Sequence, residues 1–370
     1  MKKVKIGIIG CGNIFKAYAN GYRLFEILDL VACADIDMAK AEERAIEFNV
    51  PVRTVAQLLA DPEIEIVVNL TVPNAHAGVN LKILEAGKHA YTEKPFATRR
   101  EDAEQVLRKA TAQRLLVGSA PDTFLGGGGQ TCRKLLDDGW IGRPLGMTAF
   151  VAGHGMEHWH PNPEFFYKRG GGPMLDIGPY YLTALVNLLG PIKRICGFVT
   201  ISFPERIVTS QPNFGQRIVV ETPTHYTGAI EFVSGVTGAI ITSFDVWKHH
   251  LPCLEIYGTE GTLSVPDPNT FGGPVKLYRP GKEPGIRDFM EIPLAYLYTE
   301  NTRSIGVADM AYAIRTGRKH RACGAMAAHV LEVMLSFAEA SASGKYVDIQ
   351  STCERPTMLP VGLRYGTLDE

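Results

Sequence analysis

The alternation of apolar and polar positions changes character about a third of the way along the chain. Residues 4–10, VKIGIIG, form a short apolar, β-branched run that reads as a buried strand. A helical spacing follows over 13–25. Next come a second strand, LVACAD (30–35), and a charged amphipathic helix, MAKAEERAIEF (38–48). A short helix near 54–60 leads to a third strand over 65–72. Helix 75–86, strand 89–93, helix 99–113 and strand 115–119 complete the series. Strands alternating with helices of this length predict βαβ units and a doubly wound α/β parallel sheet of the Rossmann type.

Beyond residue 120 the pattern turns to long β-rich runs. A helix near 128–138, a strand over 146–154 and a helix over 173–189 come first. Strands follow at 194–203, 216–221, 224–235, 236–246, 253–258 and 261–265. Glycine-marked turns such as VSGVTG predict hairpins in one large, mostly antiparallel sheet. Helices over 302–317 and 324–343 close this α+β region. The expected division is 1–121 and 122–370. One face of the sheet must carry helices. The other is expected to meet another subunit, because a wide sheet seldom leaves an apolar face in water.

Composition narrows the class. The chain has 370 residues, 45% hydrophobic and 21% charged, with a formal net charge of −1. That length suits two domains, and the charge offers no basic field for nucleic acid or an anionic membrane. Small molecules are the expected partners. The seven cysteines form no CxxC pair and are odd in number, which fits a reducing compartment better than a disulfide framework. The N-terminal apolar run is broken by Gly7, Gly10 and Gly12, unlike a signal peptide. No run approaches the roughly 20 residues needed to span a bilayer. A cytoplasmic location is expected.

The first chemical signal is GIIGCGNIF (7–15), where Gly10 and Gly12 stand between a strand and a helix. Glycines there let the backbone turn and approach a pyrophosphate, whose charge rests on the helix N-terminus. Asp35 ends the second strand, placed to accept hydrogen bonds from a ribose 2′-hydroxyl and to repel a 2′-phosphate. This favours NAD over NADP. The third glycine position of the fingerprint holds Phe15 instead.

Four further motifs extend the signal: ADID (34–37), TVPNAHAG (71–78), AGKHAYTEKP (86–95) and GGGPMLDIGPYY (170–181). With these the chain resembles the glucose–fructose oxidoreductase / inositol dehydrogenase (Gfo/Idh/MocA) family over nearly its whole length. The resemblance implies hydride transfer between a nicotinamide cofactor and a sugar or cyclitol hydroxyl, without a metal. It implies cofactor contacts at Gly10, Gly12, Asn13, Ile14, Asp35, Thr71, Pro73, Asn74, His76, Glu93 and Lys94. It assigns catalysis to Lys94, Asp176 and the residue four further on, and a homodimer or homotetramer built through the large sheet. That last catalytic residue is Tyr180, where inositol dehydrogenase-like members carry a histidine. Tyrosine resembles the glucose–fructose oxidoreductase and dihydrodiol dehydrogenase branches.

The residues themselves support such chemistry. Lys94 follows a strand at the carboxyl edge of the parallel sheet, where ligands bind in open α/β folds. An ammonium there stabilises charge developing on a reacting oxygen. Asp176 and Tyr180 share a helix face if the helix is continuous, and Pro179 predicts a kink or restart at Gly178–Pro179. A free phenol titrates at about 10, but a nearby cation favours its ionised form. One assignment has Tyr180 pass the proton, Asp176 bind a substrate hydroxyl and Lys94 polarise the reacting oxygen. The rival makes Lys94 the base. Asp122 and Thr123, after the last parallel strand, are further candidates for sugar hydroxyls, with a turn or cap role as the alternative for Asp122.

Residues 154–160 read HGMEHWH. His154, His158 and His160 raise a metal site, but PNPEFF beyond them predicts an irregular loop rather than the helix that would align them. A substrate loop fits better, with Trp159 on a sugar's CH face and imidazoles on its hydroxyls. Trp247, Lys248, His249 and His250 follow a sheet strand and either reach the pocket or cap an edge. The expected activity is an NAD-dependent dehydrogenase acting on a secondary hydroxyl of a sugar, cyclitol or glycoside. Alternatives are a redox-neutral enzyme with tightly held NAD (epimerisation or glycoside elimination) and a non-catalytic dinucleotide-binding regulator.

Overall fold

The structure, a computed structural model, describes residues 1–280 and 288–369. Its first part runs β1 (Val4–Ile9), α1 (Phe15–Tyr22), β2 (Leu28–Ala34), α2 (Met38–Phe48), α3 (Val55–Ala60), β3 (Ile66–Asn69), α4 (His76–Glu85), β4 (His89–Thr92), α5 (Arg100–Gln113) and β5 (Val117–Ser119). The five strands are parallel in the order β2-β1-β3-β4-β5. The order reverses at β1, so a crevice opens between the carboxyl ends of β1 and β3. Local chemistry sets the helix ends. Asp37 caps α2 by accepting from Ala39 N at 3.2 Å, and Thr54 and Gln57 form a reciprocal capping box on α3.

The second part runs α6 (Gly127–Asp137), β6 (Pro144–Ala152), α7 (Pro173–Asp176), α8 (Gly178–Leu189), β7 (Ile192–Thr200), β8 (Glu205–Ile207), β9 (Arg217–Val219), β10 (His225–Phe232), β11 (Thr237–Ser243), β12 (Leu254–Gly258), β13 (Thr262–Val265), β14 (Val275–Tyr278) and β15 (Met290–Ile292). It ends in α9 (Ile305–Thr316), α10 (Gly324–Ser343) and β16 (Val347–Asp348). Nine strands form one sheet, β15-β14-β13-β12-β6-β11-β10-β7-β16. All its pairings are antiparallel except β6 with β11. Alternate residues such as Met147, Ala149, Ile230, Ile240, Leu254 and Ile256 are buried, and α10 lies on β7 and α8.

Two features differ from the sequence expectations, and one expected break is present. The segment 216–221 does not join the large sheet; β9 pairs with β8 in a separate two-stranded ribbon. That ribbon has its own small core of Phe166, Tyr167, Val208, Ile218, Val220 and Phe244. The restart expected at Gly178–Pro179 is present: α7 ends at Asp176 and α8 begins at Gly178, because Pro179 cannot continue the α7 hydrogen-bond ladder. Finally, α10 is long and apolar enough in composition to cross a membrane, although no such run was expected. It is a core helix: His329 accepts from Ile192 N at 2.9 Å, and Glu332 accepts from Gln350 N and Ser351 N.

The chain after residue 300 returns to the parallel sheet. Arg315 at the end of α9 donates to Lys2 O and Lys3 O, each at 2.9 Å, and pairs with Glu65. Ser119 N donates to Ala322 O at 3.1 Å, and Arg364 forms a two-pronged pair with Glu26.

Candidate active site

The switch-point crevice is built by two glycines with different tasks. Gly10 has φ +107°, and a Cβ there would lie 2.5 Å from the Leu70 carbonyl at the end of β3. Only glycine allows the ends of β1 and β3 to close so tightly. Gly12 is the opposite case: no described atom lies within 4 Å of its would-be Cβ, and the residue is exposed. Beside it Asn13 is exposed, Ile14 half-buried, and α1 begins without a side-chain cap. This open helix N-terminus suits a pyrophosphate. Phe15 explains the missing third glycine. It is fully buried and packs edge-on against Phe48 of α2, so a large ring fills the helix contact that glycine would have narrowed.

Asp35 accepts from Cys11 N at 2.7 Å and from Asp37 N at 2.9 Å, which fixes its carboxylate at the crevice end of β2. A fixed negative charge admits ribose hydroxyls and opposes a phosphate. Ile36 beside it is 96% exposed, and Val72, Pro73 and Asn74 are exposed across the crevice. Thr71 is half-buried and donates to Asn69 Oδ1 at 2.7 Å. These residues fit a dinucleotide along the crevice.

Two expected cofactor contacts take another role. The His76 side chain is buried, with Nδ1 2.7 Å from Pro95 O and Nε2 2.9 Å from Thr71 O. Burial lowers its pKa, against the pull of those carbonyls. It ties the turn after β3 to the turn after β4. Glu93 is also buried, accepting from Tyr18 OH at 2.8 Å and Lys94 N at 2.9 Å. Both side chains brace the crevice from beneath.

The expected catalytic residues converge. Lys94 Nζ donates to Asp176 Oδ1 at 2.9 Å and to Asp176 O at 2.7 Å. The same ammonium lies 5.3 Å from the Tyr180 ring centroid. Asp176 ends α7 and Tyr180 lies in the first turn of α8, so the break at Ile177–Gly178 aims both at Lys94. Burial works against the Lys94 charge, but Asp176, Tyr180 and Glu93 outweigh it and hold the ammonium above the usual lysine range.

One member of the cluster carried no sequence signal. Arg303, just ahead of α9, donates from Nη2 to the Tyr180 hydroxyl at 2.9 Å, and its Nη1 lies 3.8 Å from Glu93 Oε1. Burial opposes its charge, yet Glu93, Tyr180 and Asp122 raise its pKa further. No motif surrounds it; only the fold brings it here.

Asp122 and Thr123 are both buried. Asp122 is fully buried; Oδ2 accepts from Gly306 N at 3.0 Å and Oδ1 has no partner among the described residues. Burial raises its pKa, partly offset by Arg303. Thr123 is buried in the turn that follows. Asp122 is turned inward to hold the start of α9, the cap-type alternative to a sugar contact.

HGMEHWH is organised by the residue between its histidines. Glu157 is buried; Oε1 accepts from Arg206 at 3.0 Å, and Oε2 accepts from the Tyr167 hydroxyl. Its carbonyl accepts from Thr209 N and Ser210 N, and Arg206 also pairs with Asp245. The three histidines diverge around this anchor. His154 stacks on Trp247 with ring centroids 3.3 Å apart, and burial followed by Arg206 lowers its pKa. His160 accepts from Asn162 N at 3.0 Å among Trp159, Phe165 and Phe166. His158 and Trp159 are exposed. Trp247 is 80% exposed. None of these side chains has a hydrogen bond or ring contact with Lys94, Asp176 or Tyr180 among the described residues. No group of three or more His, Cys, Asp or Glu converges for a metal among the described residues.

A parallel sheet with an open glycine turn, joined to a large sheet whose helices deliver Asp176 and Tyr180 to Lys94, defines a fold with a dinucleotide-type crevice and a polar cluster at its edge. The family comparison agrees. Residues 4–120 match the oxidoreductase family with an NAD-binding Rossmann fold, and residues 130–264 match the GFO/IDH/MocA C-terminal domain. The chain belongs to the Gfo/Idh/MocA family. It is 33% identical over 196 residues to a dTDP-3,4-didehydro-2,6-dideoxy-α-D-glucose 3-reductase of Saccharopolyspora spinosa, covering 52% of this chain and 58% of that one. It is 22% identical over 290 residues to a levoglucosan dehydrogenase of Pseudarthrobacter phenanthrenivorans, covering 71% and 73%. The chain thus spans little more than half the length of some curated relatives it matches. Among solved structures, levoglucosan dehydrogenase in complex with NADH superposes with a TM-score of 0.82, covering 95% of this chain and 100% of that one, at 21% identity. That likeness speaks for the fold.

Proposed function

We propose that the protein is an NAD-dependent dehydrogenase acting on a secondary hydroxyl of a sugar, cyclitol or glycoside. The observation that carries this reading is the Lys94 ammonium, bonded to Asp176 and facing Tyr180 at the carboxyl edge of the parallel sheet. Relatives named for acting on a nucleotide-linked deoxysugar and on levoglucosan support a carbohydrate substrate. The Asp35 carboxylate supports NAD over NADP.

A bound nicotinamide supplies the hydride acceptor; the protein orients the substrate and manages the proton. Lys94 is held protonated, so it serves as a donor to the reacting oxygen and stabilises its developing charge. Asp176 fixes that ammonium and keeps an oxygen for a substrate hydroxyl. Tyr180, between Lys94 and Arg303, is then the group that takes the hydroxyl proton. His158 and Trp159, exposed on the loop anchored by Glu157, are proposed to select the sugar.

The same reading extends to assembly. Phe198, Ala229, Ala239, Ile241 and Phe150 share one face of the large sheet by register, and Phe198 is 68% exposed. A second copy covering this face is proposed, to be tested by sedimentation of the wild type and Phe198→Asp. Seven unbridged cysteines are consistent with a reducing, cytoplasmic setting.

The deciding experiment is a turnover screen with NAD and NADP against monosaccharides, cyclitols and glycosides, with Lys94→Ala as control. Net NADH formation lost in the control supports the reading. Substrate isomerisation without net NADH would replace it with the redox-neutral one.

A further inference from the structure

We propose that Arg303 is a positioning residue of the site, acting through Tyr180: its guanidinium grips the phenolic oxygen from behind and balances the charge left there when the proton departs. This rests on the reading of Tyr180 as the proton carrier.

Arg303 is 8% exposed, yet its Nη2 donates directly to the Tyr180 oxygen at 2.9 Å. Its guanidinium also packs 5.5 Å from the ring centroid, while Lys94 lies 5.3 Å from the same centroid. The oxygen accepts from Arg303, so the phenol's own proton must point elsewhere. Every charged or titratable group around this ring has a definite place. Lys94 follows β4 and is bonded to Asp176 at the end of α7. Glu93 precedes Lys94 and is held by Tyr18 of α1. Asp122 lies ahead of α6 and is held by Gly306 of α9. Glu93 and Asp122 offset the Arg303 charge, Glu93 Oε1 lying 3.8 Å from Nη1, while Nη2 makes the hydrogen bond to the ring oxygen. A buried cation without such partners would be expensive to keep.

A histidine can exchange a proton near neutral pH unaided, whereas a phenol in water holds its proton to about pH 10. A tyrosine that takes a proton near neutral pH therefore calls for a device that favours the phenolate, and a fixed guanidinium hydrogen bond is one. The proposed step balances. The phenol first yields its proton to solvent. The phenolate then takes the proton of the substrate hydroxyl. With oxidised NAD bound in the crevice, the cofactor would accept the electron pair of the adjoining C–H bond as hydride, and the alcohol carbon would become a carbonyl.

The segment that carries Arg303 also touches the cofactor helix. Ser304 Oγ donates to Tyr18 O at 3.0 Å, and a Cβ on Gly21 would overlap the Arg303 carbonyl. Arg303 is thereby registered against α1 and α8 together.

The test uses the full chain with 3-fluorotyrosine at position 180, its ¹⁹F resonance followed through a pH titration that needs no substrate. Arg303→Gln, neutral and of similar shape, is expected to move the midpoint upward by about one pH unit or more, a tenfold change. Arg303→Lys is expected to recover part of it. An unchanged midpoint in a folded Arg303→Gln chain overturns the proposal. With a sugar that turns over, Arg303→Gln should lower kcat at least tenfold, leave the KM for NAD unchanged, and add nothing to Tyr180→Phe. Losses that multiply in the double variant would also overturn it. A moved midpoint in a chain that reduces no NAD sustains the Arg303–Tyr180 coupling and removes the dehydrogenase reading instead.

Discussion

The ammonium of Lys94 donates to both the main-chain and the carboxylate oxygen of Asp176, across the junction between the parallel sheet and the large-sheet domain. A lysine fixed at two points from one residue has little rotational freedom left, so its charge stands at one place in the crevice.

Removing either partner therefore has different consequences. Lys94→Ala deletes the donor and is expected to lower kcat roughly 100-fold or more. Asp176→Asn keeps one acceptor and the main-chain bond, so the fall should be smaller. NADH affinity, followed by fluorescence, should stay close to wild type in Asp176→Asn. A strong loss of NADH binding in that variant would mean that Asp176 shapes the cofactor crevice rather than the reacting end.

Gly10 and Gly12 should separate stability from cofactor binding. Gly10→Ala places a Cβ against the Leu70 carbonyl in a left-handed backbone and should lower Tm or prevent folding. No described atom lies within 4 Å of a Cβ at position 12, so the apo chain of Gly12→Val should melt near the wild-type temperature. Its NADH affinity should nonetheless fall at least tenfold, because the side chain occupies the space a pyrophosphate needs. Unimpaired NADH binding by Gly12→Val would place the cofactor elsewhere.

Acid sensitivity is built into His89. Burial lowers its pKa to about 4, and Nδ1 accepts from Leu116 N at 2.8 Å, which requires the neutral ring. The unfolded chain protonates this imidazole below about 6.5. The contribution is therefore complete above that pH and is lost progressively as pH falls toward 4. His89→Gln keeps an acceptor without a titrating ring, so its Tm should decline less across that window. Parallel Tm-against-pH curves for the two chains would contradict this.

The loop of 154–160 divides into an anchor and an edge. Glu157→Gln leaves Arg206 facing Asp245 alone in a buried pocket and should destabilise the chain by about 3 kcal/mol, visible in denaturant unfolding. His158→Ala should leave stability unchanged and mainly raise KM for the sugar. A chelator should leave activity intact; loss of activity restored by added zinc would reopen the metal reading.

The parallel half was legible because its central strands β1 and β3 are almost wholly buried apolar runs separated by helices of ordinary length. Gly10 and Asp35 stood out because a turn and a strand end are local features, whereas Lys94 and Asp176 stood out only through the family motifs EKP and GGGPMLDIG, since they meet across 82 residues of sequence. Other features depend on pairings that a linear pattern does not carry. The strands β14, β15 and β16 have only two to four residues each, too few to establish a period. Asp122 looked available because a loop after a strand usually is, but Gly306 of the returning α9 holds its carboxylate. Glu157 was hidden among histidines because its partners, Arg206 and Asp245, come from segments far along the chain. Arg303 stands in an unremarkable NTRS stretch, and its meaning depends wholly on Tyr180.

The return of the chain to its beginning bears on how the protein can be dissected. Arg315 binds the carbonyls of Lys2 and Lys3, and the β5 residues Gly118 and Ser119 are bridged to Cys323 and Ala322. A fragment stopping at residue 121 would strip β5 of that cover and leave Glu65 without Arg315. The nucleotide half is thus a topological unit rather than an autonomous one. Expressed alone it should aggregate or remain molten, whereas co-expression with residues 122–370 should recover it as a non-covalent pair.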